Sequence, residues 1–485
     1  MTRNTLTTYR PNLHFAPKKN WLNDPNGLVY FKGEYHLFFQ HNPNDTVWGP
    51  MHWGHAVSKD LVEWEELDIA LYPDEHGTIF SGSAVIDWNN TSGFFPDEPG
   101  MVAIFTHHLD GTENTDPVQT QSLAYSHDQG RTWIKYEGNP VLTHPTKVDF
   151  RDPKVFWHKD TKKWVMSLAT GQTVSFYSSP NLIDWQFESE FGENFGSHDG
   201  VWECPDLFEL KVDDSDEKHW VLIVSIGDNI NYEYGSRTQY FIGSFDGTTF
   251  TPYDNQIRWL DYGKDNYAGV SFSDIPEQDG RRIYLGWMNN WRYADKIPTG
   301  DWRGLMTLPR SLTLNNVNDK LQVVQRPVKE LNQYFTEKIA INDEEIKGGT
   351  AKDFVVSKPT FKVDLAINNR NSQEFGVKLY HSETNYTTIN INSTTNEIVL
   401  SRKNSGKTSF SDNFKHDQKM EVDHTDELKL QIIVDSCSIE VFVNDGSYAL
   451  TSLIFPEDQK NQQVSIFSSD GGDITISNGS ISEIK

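Results

Sequence analysis

The feature that most restricts the fold of this 485-residue chain is a repeated pair of short apolar runs joined by a tight turn. The first pair covers residues 28–31 and 35–40 around a Lys-Gly-Glu turn, a pattern typical of a β-hairpin. A sustained helical period is visible almost nowhere. The later pairs lie at residues 84–87 and 101–106, 154–158 and 163–169, 207–212 and 219–226, and 267–273 and 281–288.

A second repeated element lies between these hairpins. It consists of a serine, an acidic or amide residue two positions later, and an aromatic residue soon after. Its copies begin at Ser58, Ser126, Ser179 and Ser244, at spacings of 68, 53 and 65 residues. Self-similarity on this scale in β-rich sequence indicates propeller blades of four strands each. We therefore predict an all-β chain that begins with a five-bladed β-propeller.

The pattern of charged and apolar residues changes after residue 327. Residues 328–346 are strongly charged and are predicted to form a short helix or a linker, which we place at 329–350. The alternating strands that follow lack the serine–aromatic element, and this pattern is typical of a β-sandwich. A chain of this length is also long enough for two hydrophobic cores. The predicted division is a propeller at 1–328, a linker at 329–350 and a C-terminal β-sandwich at 351–485.

Charge and cysteine content exclude several functional classes. The formal net charge of −26 repels phosphate backbones and anionic lipid surfaces, so neither nucleic acid nor membrane is an expected partner. Cys204 and Cys437 form no C-x-x-C pattern, and the histidines at 52–55 lack partners at metal-ligand spacing. The first ten residues have no apolar leader core. We expect no metal or cofactor, and a cytoplasmic protein, or a secreted one if a leader has been removed.

Three acidic residues occupy matching positions in the predicted blades. Asp24 and Asp152 each precede a proline, and Glu203 stands just before Cys204 and a proline. Because inner strands of a propeller line one central channel, these side chains are expected to converge. Crowded carboxylates shift each other's pKa values, so that one stays protonated while another is ionised. Glycoside hydrolysis needs that division of roles, although an isolated Asp-Pro pair is more often a simple turn.

Local strings around these acids resemble a known family. WLNDPNG at 21–27 resembles the nucleophile signature of glycoside hydrolase family 32, which contains invertases, inulinases and levanases. FRDPK at 150–154 and WECPD at 202–206 are similar to its second and third signatures. Leu22 departs from the methionine commoner there, a change between apolar residues of similar size. Further strings similar to the family are NPNDTVWG at 42–49, FSGS at 80–83, DYGK at 261–264, SIEVF at 438–442 and NDG at 444–446.

The resemblance implies a five-bladed propeller, a C-terminal β-sandwich and a role for each matching residue. Asp24 would be the nucleophile and Glu203 the acid/base, while Asp152 beside Arg151 would stabilise the transition state. Asp261 would face the leaving group. No metal or organic cofactor is implied. The residues expected to line the pocket for a terminal fructose are Asn23, Gln40, Trp48, Phe80, Ser81 and Trp287.

The predicted function is release of terminal non-reducing β-D-fructofuranosyl residues from sucrose, inulin or levan through a covalent fructosyl-enzyme. A fructosyltransferase would use the same intermediate, but Trp21 and the Trp48-Gly49 string resemble hydrolases more. A non-catalytic sugar-binding propeller is disfavoured because all three acids are present. The expected partner is sucrose or a fructan, and the sequence is compatible with either a monomer or a homodimer.

Overall fold

The computed structural model describes residues 9–317, 320–369, 371–457, 459, 462–469 and 471–485. Within these ranges the regular elements are β-strands, apart from three short 3-10 helices at Ala294–Lys296, Lys329–Tyr334 and Asp412–Lys415. The predicted all-β class is therefore confirmed. No helix in the described parts of the chain is long and apolar enough to span a membrane.

The chain up to residue 327 forms five separate sheets, and successive hairpins make each one antiparallel. One short strand, β20, instead pairs in parallel with β1 of the first sheet. The strands are β1 (Asn20–Phe31), β2 (Glu34–Asn42), β3 (His52–Ser58) and β4 (Trp64–Glu66); β5 (Thr78–Ile86), β6 (Met101–Leu109), β7 (Val118–Ser126) and β8 (Ile134–Lys135); β9 (Arg151–His158), β10 (Lys163–Ala169), β11 (Val174–Ser179) and β12 (Gln186–Phe191); β13 (Trp202–Lys211), β14 (Lys218–Ile226), β15 (Arg237–Phe245), β16 (Phe250–Pro252) and β17 (Arg258–Trp259); and β18 (Tyr267–Ser271), β19 (Arg282–Trp287), β20 (Trp302–Arg303), β21 (Arg310–Val317) and β22 (Lys320–Pro327).

The first strands of the five sheets, called the leading strands below, pack against one another in a closed cycle. β1 contacts β5, which contacts β9, then β13, then β18, and β18 returns to β1. All five carry the same irregularity. In β1, Leu22 lies opposite His41 of β2 and Pro25 lies opposite Phe39, so that three residue steps on β1 match two on β2. Such a β-bulge bends a strand and redirects its side chains. The other bulges lie at 79–82, 151–154, 203–206 and 267–270.

The serine–aromatic element forms the connection between the third and fourth strands of a sheet. Ser126 Oγ donates to Asp128 Oδ1 at 2.8 Å, and Trp133 Nε1 donates to the Gly130 carbonyl at 3.0 Å. The repeat visible in the sequence is thus a hydrogen-bonded turn that begins an outer strand. Equivalent tryptophan contacts are Trp64 to the Leu61 carbonyl and Trp185 to the Leu182 carbonyl.

The C-terminal part consists of two six-stranded sheets that share one apolar core, which makes it a β-sandwich. Val363 and Val441 of one sheet and Val377 and Ile466 of the other belong to that core. The strands are β23 (Phe335–Ile346), β24 (Thr350–Val356), β25 (Phe361–Asn369), β26 (Glu374–Tyr380), β27 (Tyr386–Asn392), β28 (Glu397–Ser401), β29 (Gln418–Glu421), β30 (Glu427–Asp435), β31 (Ser438–Val443), β32 (Tyr448–Leu453), β33 (Gln462–Ser468) and β34 (Ile474–Ile484).

Where a short helix or a linker was predicted, at 329–350, the structure has a short helix followed by a long strand. These residues form the 3-10 helix Lys329–Tyr334 and strand β23, which pairs with β34 at the edge of a sandwich sheet. Only Phe335, Ile341 and Ile346 of β23 are buried, and its other positions are largely charged or polar. Edge strands commonly carry charged side chains, so the sequence pattern resembled a solvated connection.

Candidate active site

The three predicted acids meet where the leading strands bulge. Asp24, Asp152 and Glu203 lie in or at the start of the bulges of β1, β9 and β13. Cys204 lies between them: its Sγ is 3.5 Å from Asp24 Oδ2 and 3.6 Å from Asp152 Oδ2. Its backbone N–H donates to Asp152 Oδ2 at 2.9 Å. Asp152 and Cys204 have positive φ angles of 64° and 48°, a conformation that surrounding structure must hold and that is typical of functional sites.

Both oxygens of the Asp24 carboxylate accept hydrogen bonds, and Oδ2 accepts from Ser81 as well as from the Cys204 thiol. Asn23 Nδ2 donates to Oδ1 at 3.1 Å, and Ser81 Oγ donates to Oδ2 at 2.7 Å. Trp21 Nε1 in turn fixes Asn23 through a 2.7 Å bond to its side-chain oxygen. These donors favour the ionised form, but burial and then the negative charge of Glu203 raise the pKa of Asp24 to about 6. Above that pH the carboxylate is ionised and can act as a nucleophile.

Glu203 has a separate partner on each carboxylate oxygen. Arg151 donates to Oε1 from Nη2 at 3.0 Å and from Nε at 3.3 Å. The Tyr267 hydroxyl hydrogen-bonds to Oε2. Burial and then the Glu203 charge raise the pKa of Tyr267, so its hydroxyl remains a donor. Tyr267 was not among the predicted site residues, although it lies at the bulge of the fifth leading strand as the acids lie at the bulges of theirs.

Arg151 places a positive charge among the acids. Its guanidinium contacts Asp149 and Glu203, and its Nε lies 4.0 Å from Asp152 Oδ2. Burial raises the pKa of Asp152, and the Arg151 charge opposes that rise. Arg151 therefore couples two of the predicted acids electrostatically.

Two glutamines on β7 hold the backbone that carries Asp152. Gln119 Oε1 accepts from the Phe150 N–H at 2.8 Å, and Gln121 Nε2 donates to the Phe150 carbonyl at 2.7 Å. Thr106 Oγ1 accepts from the Asp152 N–H at 3.1 Å and donates to Gln121 Oε1 at 2.7 Å. Neither glutamine was among the predicted site residues. Their alternation along a buried strand was the available signal, because residues i and i+2 share a face.

Aromatic rings form two groups beside the acids. The rings of Trp48 and Phe80 meet edge to face at 6.0 Å, and Trp48 is 47% exposed. Trp21, Trp287 and Trp291 form the second group, with ring centroids 4.8–6.1 Å apart. Trp287 Nε1 is buried, and no described residue accepts its hydrogen bond. The exposed ring of Trp48 suits packing against an amphipathic sugar, whereas the rings of Trp21 and Trp287 are buried.

Gln40 and Asp261 have different surroundings from those predicted. Gln40 is buried and donates to Asn26 Oδ1 and to the Ile79 carbonyl, so it ties β1 to β5 behind the acids. The structure does not bring Asp261 to the cluster. It is 2% exposed, and its carboxylate accepts from Arg310 at 3.0 Å and from Thr451 of the sandwich. Asp261 therefore compensates a buried arginine at the contact between the N-terminal part of the chain and the sandwich, away from the three acids that it was predicted to accompany.

The assembled site contains an ionisable carboxylate, a second carboxyl group held by an arginine and a tyrosine, and a third buried acid beside that arginine. In the described part of the chain, no group of three histidine, cysteine or acidic residues could hold a metal ion. Double displacement at a glycosidic bond requires a carboxylate nucleophile with a carboxyl acid/base nearby.

Comparison with known proteins gives matches along the whole chain. The model of the glycosyl hydrolases family 32 N-terminal domain matches residues 14–327, and that of the family's C-terminal domain matches residues 328–483. A levanase of Bacillus subtilis (strain 168) is 47% identical over 477 residues, which cover 96% of this chain and 69% of the relative. An extracellular exo-inulinase of Aspergillus awamori is 39% identical over 487 residues, covering 92% of this chain and 90% of the relative.

Solved structures agree in fold over nearly the full length. The crystal structure of exo-inulinase from Aspergillus awamori has a TM-score of 0.91 at 36% identity and covers 99% of both chains. The β-fructofuranosidase from Schwanniomyces occidentalis, complexed with fructosyl-erythritol, has a TM-score of 0.89 at 32% identity. That match covers 99% of this chain and 98% of the other.

Proposed function

This chain belongs to glycosyl hydrolase family 32, and we propose that it hydrolyses terminal β-D-fructofuranosyl residues from sucrose and from fructans such as inulin and levan. The observation that carries the proposal is the convergence of Asp24, Asp152 and Glu203 on adjacent strand bulges. The relatives named levanase and exo-inulinase support fructans as the substrate class.

We infer that the five N-terminal sheets are the blades of a propeller with the acids at one end of its central channel. The closed cycle of contacts among the leading strands supports this arrangement. The two family matches meet between residues 327 and 328, which supports a division into propeller and sandwich near that point. The sandwich then begins with the 3-10 helix and β23 instead of with a linker.

In the first chemical step, a carboxylate oxygen of Asp24 bonds to the anomeric carbon of the fructosyl unit. The bond from that carbon to the leaving oxygen breaks, and its electron pair stays with the oxygen, which takes the proton of Glu203. Arg151 and Tyr267, on separate oxygens of Glu203, orient this acid. The products are a covalent fructosyl-enzyme and the free leaving group.

In the second step, Glu203 removes a proton from water as the water oxygen attacks the anomeric carbon. The bond to Asp24 breaks, its carboxylate is restored, and Glu203 is again protonated. In this proposal, Asp152 and Arg151 hold sugar hydroxyls and stabilise charge in both transition states. Asn23, Ser81, Trp48, Phe80 and Trp287 complete the proposed fructose pocket, with Gln40 as a support behind it.

The test is a time course of products from sucrose, inulin and levan, with Asp24→Asn and Glu203→Gln as variants. We expect free fructose as the only early product from both polymers, and a loss of several orders of magnitude in kcat for each variant. Asp184→Asn, at an exposed outer turn, is the matched control and should retain full activity.

Other outcomes would contradict this function in distinguishable ways. Oligosaccharides that grow from sucrose while glucose outruns fructose would identify a fructosyltransferase. Short oligosaccharides released early from the polymers would indicate internal cleavage. Absence of product from all three substrates would leave a sugar-binding propeller, and near-normal turnover in either variant would overturn the residue assignments.

A further inference from the structure

His108 on β6 lies between the aromatic wall of the candidate active site and its acids. Its imidazole stacks face to face on the ring of Phe80, with the centroids 4.2 Å apart and the planes within 4° of parallel. The Phe80 ring in turn meets the ring of Trp48 edge to face. The His108 side chain is only 13% exposed. One wall of the proposed fructose pocket therefore rests on a largely buried histidine.

The other contact of the imidazole is with Gln119 on β7, which lies directly opposite His108 in the sheet. Gln119 Nε2 is 3.2 Å from His108 Nδ1. The side-chain oxygen of Gln119 accepts from the Phe150 N–H at 2.8 Å and from Arg151 Nη1 at 3.4 Å. These two residues immediately precede Asp152. A single amide group thus separates His108 from the segment that carries one of the acids.

The pattern of donors determines which nitrogen of His108 carries the proton. The Gln119 oxygen accepts from two N–H groups, so the group that faces the imidazole is the amide nitrogen, which can only donate. His108 Nδ1 must therefore be an unprotonated acceptor. The proton of the neutral ring is then on Nε2, which is 3.2 Å from Asp110 Oδ1. Burial lowers the pKa of His108, against the opposing charge of Asp110, and so favours the same neutral form.

We propose that His108 is a positioning residue for the reaction, which holds the Phe80 ring by stacking and holds Arg151 through Gln119. This role rests on the proposed function and deepens it, because two contacts of one side chain serve two different steps. The stacked ring keeps Phe80 in place for substrate binding, so its loss should raise KM. The Nδ1 acceptor keeps the charged groups oriented for the chemical step, so its loss should lower kcat.

Two substitutions separate these contacts. His108→Asn removes the ring but keeps an acceptor oxygen near the position of Nδ1, whereas His108→Phe keeps the ring and removes the acceptor. With sucrose, we expect His108→Asn to raise KM about two- to tenfold, the range of one aromatic pair, with kcat nearly unchanged. We expect His108→Phe to lower kcat about tenfold with KM nearly unchanged, because small displacements of orienting groups are costly.

A second background and a matched control make this comparison specific. In Gln119→Ala, the further change His108→Phe should cost nothing more in kcat, because the contact is already absent. His127→Asn is the control, since His127 also contacts two aromatic rings but lies at an exposed outer turn. It should leave kcat and KM unchanged. Equal changes of kcat and KM in both His108 variants, or an undiminished effect of His108→Phe in Gln119→Ala, would overturn the proposal.

A nuclear magnetic resonance measurement tests the same arrangement without catalysis. In wild-type protein with isotope-labelled histidine, the His108 signals are those that disappear in His108→Asn. At about pH 8, above the ordinary histidine pKa, they should show a bare Nδ1 and a proton on Nε2. A proton on Nδ1 would overturn the positioning role, even in a fully active enzyme.

The two proposals fail in distinguishable ways. If the wild-type protein hydrolyses sucrose, inulin or levan but the two His108 variants show no separation of KM from kcat, only the positioning role fails. If the wild-type protein hydrolyses none of these substrates, the proposed function fails, and the positioning role fails with it.

Discussion

At the scale of single residues, Asp24 stands under opposing influences that set the pH range of activity. Its hydrogen bonds from Asn23 and Ser81 favour ionisation, while burial and the Glu203 charge oppose it and raise its pKa to about 6. A nucleophile must be ionised, so the proposed chemistry predicts that kcat/KM falls as the pH drops below about 6. Because the acids interact, the apparent pKa of this acidic limb of the pH profile belongs to the whole cluster and not to one residue.

Ser81→Ala should move that acid limb to higher pH. The Ser81 hydroxyl lowers the pKa of Asp24, so its removal raises that pKa and shrinks the ionised fraction at pH 5.5 more than at pH 8. The measurement is the pH profile of kcat/KM with sucrose, alongside Ser244→Ala at an exposed position as the control. A limb that stays in place, or moves to lower pH, would contradict the assignment of Asp24.

The three acids could be singled out in the sequence because the strings around them resemble the signatures of the family, and because each stands within two residues of a proline. Tyr267 has no such marker, and only the shared bulge relates it to the acids. Asp261 illustrates the opposite failure. Its motif resembled a site, but its role depends on Arg310 and Thr451, which are distant in sequence.

At the scale of elements, the hairpins of the five leading strands can be predicted from the sequence, but their bulges cannot. The hairpins were predictable because apolar runs and turn residues are local signals. The bulges were not, because a bulge is a relation of register between two strands. In the same way, the charged outer face of β23 obscured its pairing with β34.

Strand β7 offers a test of how an element supports the site without touching substrate. Gln121→Ala removes the donor to the Phe150 carbonyl and the acceptor of the Thr106 hydroxyl, which together fix the bulge around Asp152. We expect kcat to fall about ten- to a hundredfold because small displacements of reacting groups are costly. The KM should change little, as the pocket walls are on other strands.

The measurement for Gln121→Ala is kcat and KM at 25 °C. The variant is first shown to be folded by its thermal unfolding transition. The control is Gln186→Ala, on the exposed end of β12. Unchanged kcat in a folded Gln121→Ala variant would mean that β7 does not position Asp152. If kcat fell by the same factor in Gln186→Ala as in Gln121→Ala, the loss would reflect general destabilisation of the protein.

At the scale of the whole molecule, a buried chain of charges joins the N-terminal part to the sandwich. His14 contacts Asp435 at 2.8 Å and Glu440 at 2.9 Å, and Arg310 contacts both Glu440 and Asp261. The sequence predicted two parts but could not predict this connection, because its members come from segments separated by more than a hundred residues. Removing one member of such a chain leaves its partners charged and buried.

The charge chain predicts how stability depends on pH. Burial alone would lower the pKa of His14, but the hydrogen bonds and charges of Asp435 and Glu440 outweigh burial and raise it from 6.5 to about 9. A raised histidine pKa contributes stability that is complete below pH 6.5 and is lost as the pH rises through 9. The shift corresponds to about 3 kcal/mol at 1.36 kcal/mol per pKa unit.

Denaturant unfolding between pH 6 and 10 should therefore show the free energy of unfolding decline mainly from pH 6.5 to 9. In His14→Gln that decline should disappear, while stability below pH 6.5 should fall because two carboxylates lose their buried cation. His424→Gln, at an exposed position of the sandwich, should keep both the wild-type stability and its slope. A His14→Gln variant that retains the decline would show that other groups govern alkaline stability, and that His14 does not titrate in the way its two buried carboxylate partners predict.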